Sequence, residues 1–487
     1  MISLQPIQTV TVSSPWSSAL NYPNRVEILD PSTPTFAFDY GTGGIAVGFV
    51  SGTNASSLYS QCDANLLTMP ALYSSYYNTA IIGGGACSCS PCLSISNSSG
   101  CGPWFQIVNL SNGSFVSSSS LPCPFIPSTS YSGHVFGFIY DLIDGYMIMS
   151  INYSGTYLIF YFIPLTQLGT LFSGTFPSTY YTVMVQIPNT NLNIYPNPTY
   201  LWNGNIIQPA YDSSYNQYIW MIPISTLMQN MQSGGPSGSS ITTGNIYQVY
   251  APGNLSNGYG QATVLLYPTS SGPKSVIALA GCSSSTVTVT IWDPSTQSTL
   301  KQVKADVKNP NCAQSRFYKN TFLITSGSNT ITLLDIITGD VESISSSVDA
   351  SLIPTSRGYV LGTRNPLYQS SVTFDIYKVV YQNDFQFTNV TFAPFKITGT
   401  LYNATIGQGI PNQTVYLVKL RSMYSNYIGD SVPVASATTD SNGQFTINLA
   451  SPLGEPVLTF GVNIALKLGT NYSSLFTTYY GLVYMPY

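Results

Sequence analysis

Five aspartates are the residues of this chain best suited to acid chemistry. Asp39, Asp141, Asp144, Asp293 and Asp335 each lie within or beside an apolar run. Two carboxylates that share a proton can serve as general acid and base in hydrolysis. An aspartate at the end of a strand also hydrogen-bonds the backbone of the following turn. We expect the turn role, and keep an acid-active hydrolase that uses these carboxylates as the alternative.

Histidine chemistry is nearly excluded, because His134 is the only histidine in 487 residues. It precedes an apolar run at 135–139, where we expect a structural role. The segment from Cys87 through Cys89 to Cys92 lacks the paired spacing of a zinc knuckle, and the histidine is distant. We therefore expect no metal, no cofactor and no catalytic set, which favours a protein that is not an enzyme.

The eight cysteines fall into two groups with even counts, which indicates disulfides. Cys282 and Cys312 form the second group and are expected to pair. Six cysteines allow fifteen pairings, so connectivity stays open in the first group: Cys62, Cys87, Cys89, Cys92, Cys101 and Cys123. Disulfides indicate an oxidising compartment, although hyperthermophiles also form them inside the cell.

Basic residues are concentrated in one short stretch of the chain. Only Asp306 opposes them, so an anionic surface, lipid headgroup or acidic glycan is one interpretation, and a solvated strand edge is the favoured one. With a net charge of −4, nucleic-acid binding is not expected. The stretch contains Lys301, Lys304, Lys308, Arg316 and Lys319.

Charge is scarce everywhere else: the chain has 14 Lys or Arg and 18 Asp or Glu, which is 7% of its residues. An ordinary globular protein is about one quarter charged. With so few carboxylates, acid adds little self-repulsion, so the composition favours an extracellular protein for harsh, acidic surroundings. No run of eighteen apolar residues occurs. Tyr146 to Leu165 comes nearest and is interrupted by polar residues, so no membrane span is expected.

Ten N-x-Ser/Thr sequons are spread along the chain, which favours exposed loops in a glycosylating, external setting. The N-terminus has no basic region followed by an apolar region, so no signal peptide is visible. A leader outside the numbering, or release as part of a virion, would each explain this. The acceptor residues are Asn54, Asn97, Asn109, Asn112, Asn152, Asn254, Asn389, Asn403, Asn412 and Asn471.

The elements that must position these residues are β-strands, because helical periodicity is almost absent. Short apolar or alternating runs are separated by Gly, Pro, Asn and Ser clusters, as in 157–163, 287–292 and 330–335. One pattern of strand, Asx-type turn and strand recurs around Asp293 and Asp335. Four short strands in a repeat of roughly 40 to 45 residues is typical of a propeller blade.

On this repeat, residues 35–390 resemble the β-propellers of secreted and surface proteins. The alternative for this large domain is a twisted β-sandwich. Residues 1–34 are expected to form an N-terminal extension or first strands, and the cysteine-rich segment 62–123 a stapled insertion. If the chain is instead the acid-active hydrolase, the catalytic aspartates would lie in the central funnel of the propeller.

A boundary is expected near Thr391 to Phe395. The following segment has an Ile397-Thr-Gly399 strand, a turn containing Pro411, and a hairpin running from Thr439 and Asp440 through Gly443 to Phe445. Residues 394–487 therefore resemble carboxypeptidase-regulatory-like, prealbumin-type modules, and the resemblance implies an Ig-like β-sandwich. Such modules serve mostly as spacers or attachment points.

The whole composition resembles exported surface proteins of thermoacidophilic archaea and the glycosylated structural proteins of their viruses. We therefore expect a structural or adhesive glycoprotein at a cell or virion surface. It would act in attachment or assembly, with other surface or virion proteins or cell-surface glycans as partners, and as part of a homo- or hetero-assembly. Tyrosines beside polar segments, such as Tyr180 and Tyr181, would suit such contacts.

Overall fold

The computed structural model is built almost entirely of antiparallel β-strands, and the all-β prediction is confirmed. The residues that the structure describes are 2–13, 26–30, 35–40, 44–49, 52–57, 72–74, 79–85, 103–109, 115–119, 141–143, 146–153, 156–173, 175, 177–194, 200–214, 216–235, 239–249, 261–269, 272–318, 320–326, 329–348, 352–354, 359–364, 371–381, 385–393, 395–403, 407–419, 433–450, 455–459, 462–467, 476–479 and 482–485.

The first half of the chain forms an N-terminal strand and four successive sheets. The strand is β1 (Ile2–Ser13). The first sheet contains β2 (Val26–Asp30), β3 (Thr35–Tyr40), β4 (Gly44–Phe49) and β5 (Gly52–Ser57). The second contains β6 (Leu72–Ser74), β7 (Thr79–Gly85), β8 (Pro103–Asn109) and β9 (Phe115–Ser119). The third contains β10 (Asp141–Ile143), β11 (Tyr146–Tyr153), β12 (Tyr157–Pro164) and β13 (Tyr181–Gln186), with a 3-10 turn (Leu165–Gln167) and α1 (Leu168–Phe172) between β12 and β13. The fourth contains β14 (Asn193–Ile194), β15 (Tyr200–Trp202), β16 (Asn205–Tyr211), β17 (Gln217–Pro223) and β20 (Asn245–Gln248). Between β17 and β20 lie α2 (Ile224–Gln229), β18 (Gln232–Ser233) and β19 (Ser240–Thr242), and both of these short strands pair with β13 of the third sheet.

Three further sheets complete the series. The fifth contains β21 (Gln261–Thr269), β22 (Gly272–Cys282), β23 (Thr286–Asp293) and β24 (Ser298–Asp306). The sixth contains β25 (Pro310–Tyr318), β26 (Thr321–Ser326), β27 (Thr330–Asp335) and β28 (Val341–Ser345). The seventh contains β29 (Leu352–Pro354), β30 (Tyr359–Thr363) and β31 (Ser371–Tyr381), and its fourth strand is β1.

The seven consecutive sheets that the described residues of 2–381 form are the blades of a β-propeller. First strands of neighbouring sheets contact one another, as β2 does β6 and as β25 does both β21 and β29, which places first strands toward the centre of the ring. Side-chain burial decreases toward the outermost strand of a sheet. The third strand β23 is buried on both faces, whereas the outermost strand β24 alternates between exposed and buried residues.

β1 closes the ring, because it pairs with β31 in the last sheet and contacts β5 of the first. Two side-chain contacts reinforce the ladder. Thr9 Oγ1 donates to Asp375 Oδ1 at 2.7 Å, and Arg364 donates to both oxygens of that carboxylate at 2.7 and 2.9 Å. Residues 1–34 were expected to form an N-terminal extension or first strands, and the structure has two strands there: β1, which completes the seventh sheet, and β2, which belongs to the first.

The core of the propeller lies between neighbouring sheets. One cluster joins the third, fourth and fifth sheets and includes Phe162, Trp220 and Trp292. A second joins the fifth and sixth, and a third joins the sixth and seventh and takes in Leu4 of β1. The third to seventh sheets are thus stabilised by apolar burial against one another, at roughly 25 cal/mol per Å².

The C-terminal strands form three more antiparallel sheets. They are β32 (Phe385–Ala393), β33 (Lys396–Asn403), β34 (Gln408–Gly409) and β37 (Gln444–Asn448) in one sheet; β35 (Thr414–Lys419), β36 (Pro433–Thr438), β39 (Val462–Lys467) and β40 (Phe476–Tyr479) in another; and β38 (Glu455–Thr459) with β41 (Leu482–Met485) in the third. Tight packing fixes the predicted hairpin, since Gly443 has φ +77° and a Cβ there would lie 2.4 Å from Leu401 O.

Two expected boundaries differ from the structure. Segment 62–123 is not simply an insertion, because β6 to β9 within it form the second sheet. The strand at Thr79–Gly85 was hard to recognise because three of its seven residues are glycine. The C-terminal sheets begin at Phe385 rather than at 394, because β32 pairs along its length with β33.

Candidate interaction surface

The recurring aspartates lie in the hairpins that lead to the outermost strands. Asp293 ends β23 and Asp335 ends β27, and both side chains are 1% exposed. Asp335 accepts hydrogen bonds from the backbone N–H groups of Ile337 and Thr338 at 2.9 and 3.0 Å. The expected Asx-type turns are present, and each lies in the hairpin between the third and the outermost strand of its sheet.

Asp293 has the richer set of partners. It accepts hydrogen bonds from Ser295 N at 2.9 Å, from Ser295 Oγ at 2.7 Å and from Thr296 Oγ1 at 2.8 Å, and it forms an ion pair with Lys274. Burial alone would raise the pKa of Asp293, but the hydrogen bonds from Lys274, Ser295 and Thr296 outweigh it and lower that pKa to about 2. Such a carboxylate stays ionised in moderate acid and stabilises the turn.

Asp212 forms a third turn of this type, which the sequence analysis did not single out. Its side chain accepts from the backbone N–H groups of Ser214 and Asn216, both at 2.9 Å, and from Tyr218 Oη at 3.1 Å. Burial favours a higher pKa for Asp212, and the hydrogen bonds, chiefly from Asn216, lower the pKa below its usual value. The signal available in the sequence was the Asp-Ser-Ser segment between two apolar runs.

The remaining candidates for acid chemistry are only partly described. Asp39 lies in β3, and Asp141 is the first residue of β10. Asp144 and His134 lie outside the described residues. In the part of the chain that the structure describes, no group of three His, Cys, Asp or Glu side chains is arranged to hold a metal ion.

The described residues of the basic stretch lie in or just beyond strands of two sheets and differ in their surroundings. Lys304 and Lys308 are exposed on β24 and just beyond it. Lys301, however, donates to the carbonyl of Ile337, and Arg316 donates to the carbonyl of Ser315 at 2.8 Å. Lys301 thus links the fifth sheet to a turn of the sixth. Lys319 lies outside the described residues.

A disulfide links the same two sheets. Cys282 ends β22 and Cys312 lies in β25, with 5.8 Å between their Cα atoms and a sequence separation of 30. Both residues are fully buried. The six cysteines of the first group lie outside the described residues.

Two sequons are presented on the surface of the C-terminal sheets. Asn389 and Asn412 are exposed, and both have left-handed backbones, with φ of 52° and 56°. Asn389 lies where the β32–β33 register shifts, so the bulge lifts it out of the ladder. Asn109 and Asn403 are half-buried, and Asn54 and Asn152 lie on strands β5 and β11. Outside the described residues lie Asn97, Asn112, Asn254 and Asn471.

The tyrosines expected at contact surfaces are half-buried in aromatic pairs. Tyr180 stacks on Tyr161 with 6.2 Å between ring centroids, and Tyr181 meets the edge of Tyr146 at 5.9 Å. Burial raises the pKa of Tyr180. These rings therefore pack against other aromatic rings of the third sheet.

Comparison with known proteins yields a fold-level likeness. No protein-family model matches the chain, and no curated protein matches it. Among solved structures, the chain is similar to the WD40 β-propeller domain of Doa1, at 10% sequence identity and a TM-score of 0.40. The match covers 78% of this chain and 97% of that domain. No helix among the described residues is long and apolar enough to cross a membrane.

Proposed function

We propose that this chain is an external structural or adhesive glycoprotein, acting in attachment or assembly at a cell or virion surface. The observation that carries the proposal is the presentation of Asn389 and Asn412. Both acceptor amides stand on exposed, left-handed backbone, which leaves room for a bulky glycan.

Two further features support the external setting. The buried disulfide between Cys282 and Cys312 joins two sheets of the propeller, as is usual in proteins of oxidising compartments. Asp212, Asp293 and Asp335 each accept several hydrogen bonds within turns, which suits a rigid scaffold. The partners we propose are other surface or virion proteins, or cell-surface glycans, bound through the ends and outer strands of the sheets.

The C-terminal sheets would act as the attachment module in this arrangement. We propose that they form the Ig-like sandwich that the sequence resembles, and that it carries glycans on the surface containing Asn389 and Asn412. Such a module separates the propeller from the structure to which it is anchored.

The experiment that tests this proposal is fractionation of the source into cells, envelopes and released particles, followed by mass spectrometry of the intact chain. We expect the chain in an envelope or particle fraction, oxidised at Cys282 and Cys312, with glycan mass on the peptides containing Asn389 or Asn412. Asn389→Gln and Asn412→Gln should each remove one glycan. A reduced, unmodified chain in the soluble interior of the cell would overturn the proposal.

A further inference from the structure

The closure strand β1 presents an open edge to its surroundings. In the sheet order it lies at the end, and among the strands that the structure describes only β31 pairs with it. Residues Gln5 to Thr9 are exposed, and Ile7 is 52% exposed. An outermost strand of this length leaves a row of backbone N–H and C=O groups without a partner strand.

Absence of charge together with length distinguishes this edge: the outermost strands β5, β9 and β20 also lack charged residues but have only six, five and four residues. None of the twelve residues of β1 is Asp, Glu, Lys or Arg. By contrast, β24 contains Lys301, Lys304 and Asp306, and the five-residue β28 contains Glu342. Charged residues and short length are the usual means of keeping strand edges from pairing.

Only the first half of β1 has another form of protection. Pro6 cannot donate a hydrogen bond, and the register with β31 shifts between Pro6 and Gln8. From Gln8, opposite Ile376, to Ser13, opposite Ser371, the ladder continues without interruption. This second half is rich in Thr and Val, which favour strand pairing.

We infer that the Gln8–Ser13 edge of β1 binds the same edge of a second copy of this chain, forming an antiparallel two-stranded junction between two propellers. A two-fold axis sets each residue opposite one from the identical segment, so a charge close to the axis would lie near its own copy and repel it. This segment contains none, and centring the axis at residue 10 sets Thr9 opposite Thr11 of the other copy, a favourable cross-strand pair.

This inference rests on the proposed role in assembly and names one contact by which it would occur. The two can fail separately. Cell fractionation and glycopeptide analysis test the cellular location. The molar mass of the purified full chain in solution tests the junction.

The test compares two lysine substitutions that make the same local change on different edges. Thr11 Oγ1 lies 3.2 Å from Thr373 Oγ1, and Ser343 Oγ on β28 lies 3.2 Å from Thr332 Oγ1. Each therefore joins an outermost strand to its neighbour through two hydroxyls. Thr11→Lys and Ser343→Lys lose equivalent contacts and gain equal charge, so they differ in which edge becomes charged.

Sedimentation velocity of the glycosylated full chain from about 1 µM to about 100 µM should show a monomer–dimer equilibrium. Thr11→Lys should raise the dissociation constant about tenfold through like-charge repulsion across the junction, and Ser343→Lys should leave it unchanged. A monomer at every concentration, or equal effects of the two substitutions, would overturn the inference.

Hydrogen exchange of the unmutated chain provides a second reading that needs no variant. The peptide containing Ile2–Ser13 should exchange more slowly at the high concentration than at the low one, while peptides from β24 and β28 stay the same. Equal exchange of the β1 peptide at both concentrations would also overturn the inference.

Discussion

Replacement of Asp293 by Asn is expected to remove a pH-dependent contribution to stability. The carboxylate is 1% exposed and paired with Lys274, and its pKa falls from 3.8 to about 2. A difference of nearly two pKa units corresponds to about 2 kcal/mol, at 1.36 kcal/mol per unit. Asn keeps one oxygen acceptor for the turn but carries no charge for the lysine.

The direction with pH follows from the depressed pKa. Above about pH 5, Asp293 is ionised in both states and the folded state gains the full stabilisation. As pH falls through the unfolded pKa, the unfolded chain takes up the proton first, and the contribution is lost by about pH 1. Asp293→Asn should therefore be about 2 kcal/mol less stable than the unmodified chain at pH 7 and equally stable near pH 1.

Thermal unfolding at pH 7, 4 and 1.5 measures this effect. The seven sheets comprise about 380 residues, for which 2 kcal/mol corresponds to a shift of about 3 °C in the midpoint if they unfold together. Asp340→Asn, an exposed change in the corresponding hairpin of the sixth sheet, is the control and should alter stability by less than about 0.5 kcal/mol. A loss from Asp293→Asn that is the same at pH 7 and pH 1.5 would refute the role of the ion pair.

Three other predictions concern the disulfide, the pairing of β1 with β31 and the C-terminal hairpin. The double change Cys282→Ala and Cys312→Ala should cost about 3–4 kcal/mol, because a 30-residue separation is closed by the bridge, and added reductant should remove the difference from the unmodified chain in unfolding curves. Arg364→Gln removes both arginine hydrogen bonds to Asp375, the carboxylate that also binds Thr9 of β1. The propeller should lose about 1–2 kcal/mol of stability, and limited proteolysis should cut within Ile2–Ser13 sooner. Unchanged cleavage there would show that these contacts do not hold β1 in place. Gly443→Ala should destabilise the C-terminal sheets by more than about 2 kcal/mol, whereas Gly204→Ala, at φ +72° with nothing within 4 Å of the added Cβ, should cost about 1 kcal/mol; equal losses in melting experiments would show that crowding at 443 is unimportant.

The strand content and the Asx turns could be predicted from sequence because they are local. Thr286–Asp293 is rich in β-branched residues, and an aspartate follows the last apolar position. The same local signal identified Asp335 but missed Asp212, whose turn lies between strands of the less regular fourth sheet.

Long-range pairing could not be predicted in the same way. Nothing within Ile2–Ser13 specifies β31 as its partner, because the two strands are brought together only when all the sheets between them have folded. Likewise, the sequence could not show that Lys301 donates to the carbonyl of Ile337, because that carbonyl lies on a separate hairpin. The pairing of Cys282 with Cys312 was expected only because these two cysteines stand apart from the other six.

Because the first strand closes the ring, the propeller cannot close until its last strand has been synthesised. Thr9 and Asp375 are 366 residues apart, so β1 leaves the ribosome long before its partner strand exists. At about 5–20 residues per second, that interval is on the order of 20–70 s. Throughout it, an uncharged, β-prone segment waits with both edges open. During this time the segment could pair with the same segment of a nascent chain on a neighbouring ribosome and aggregate. A chaperone that shields the first thirteen residues would therefore be expected to raise the yield of closed propeller.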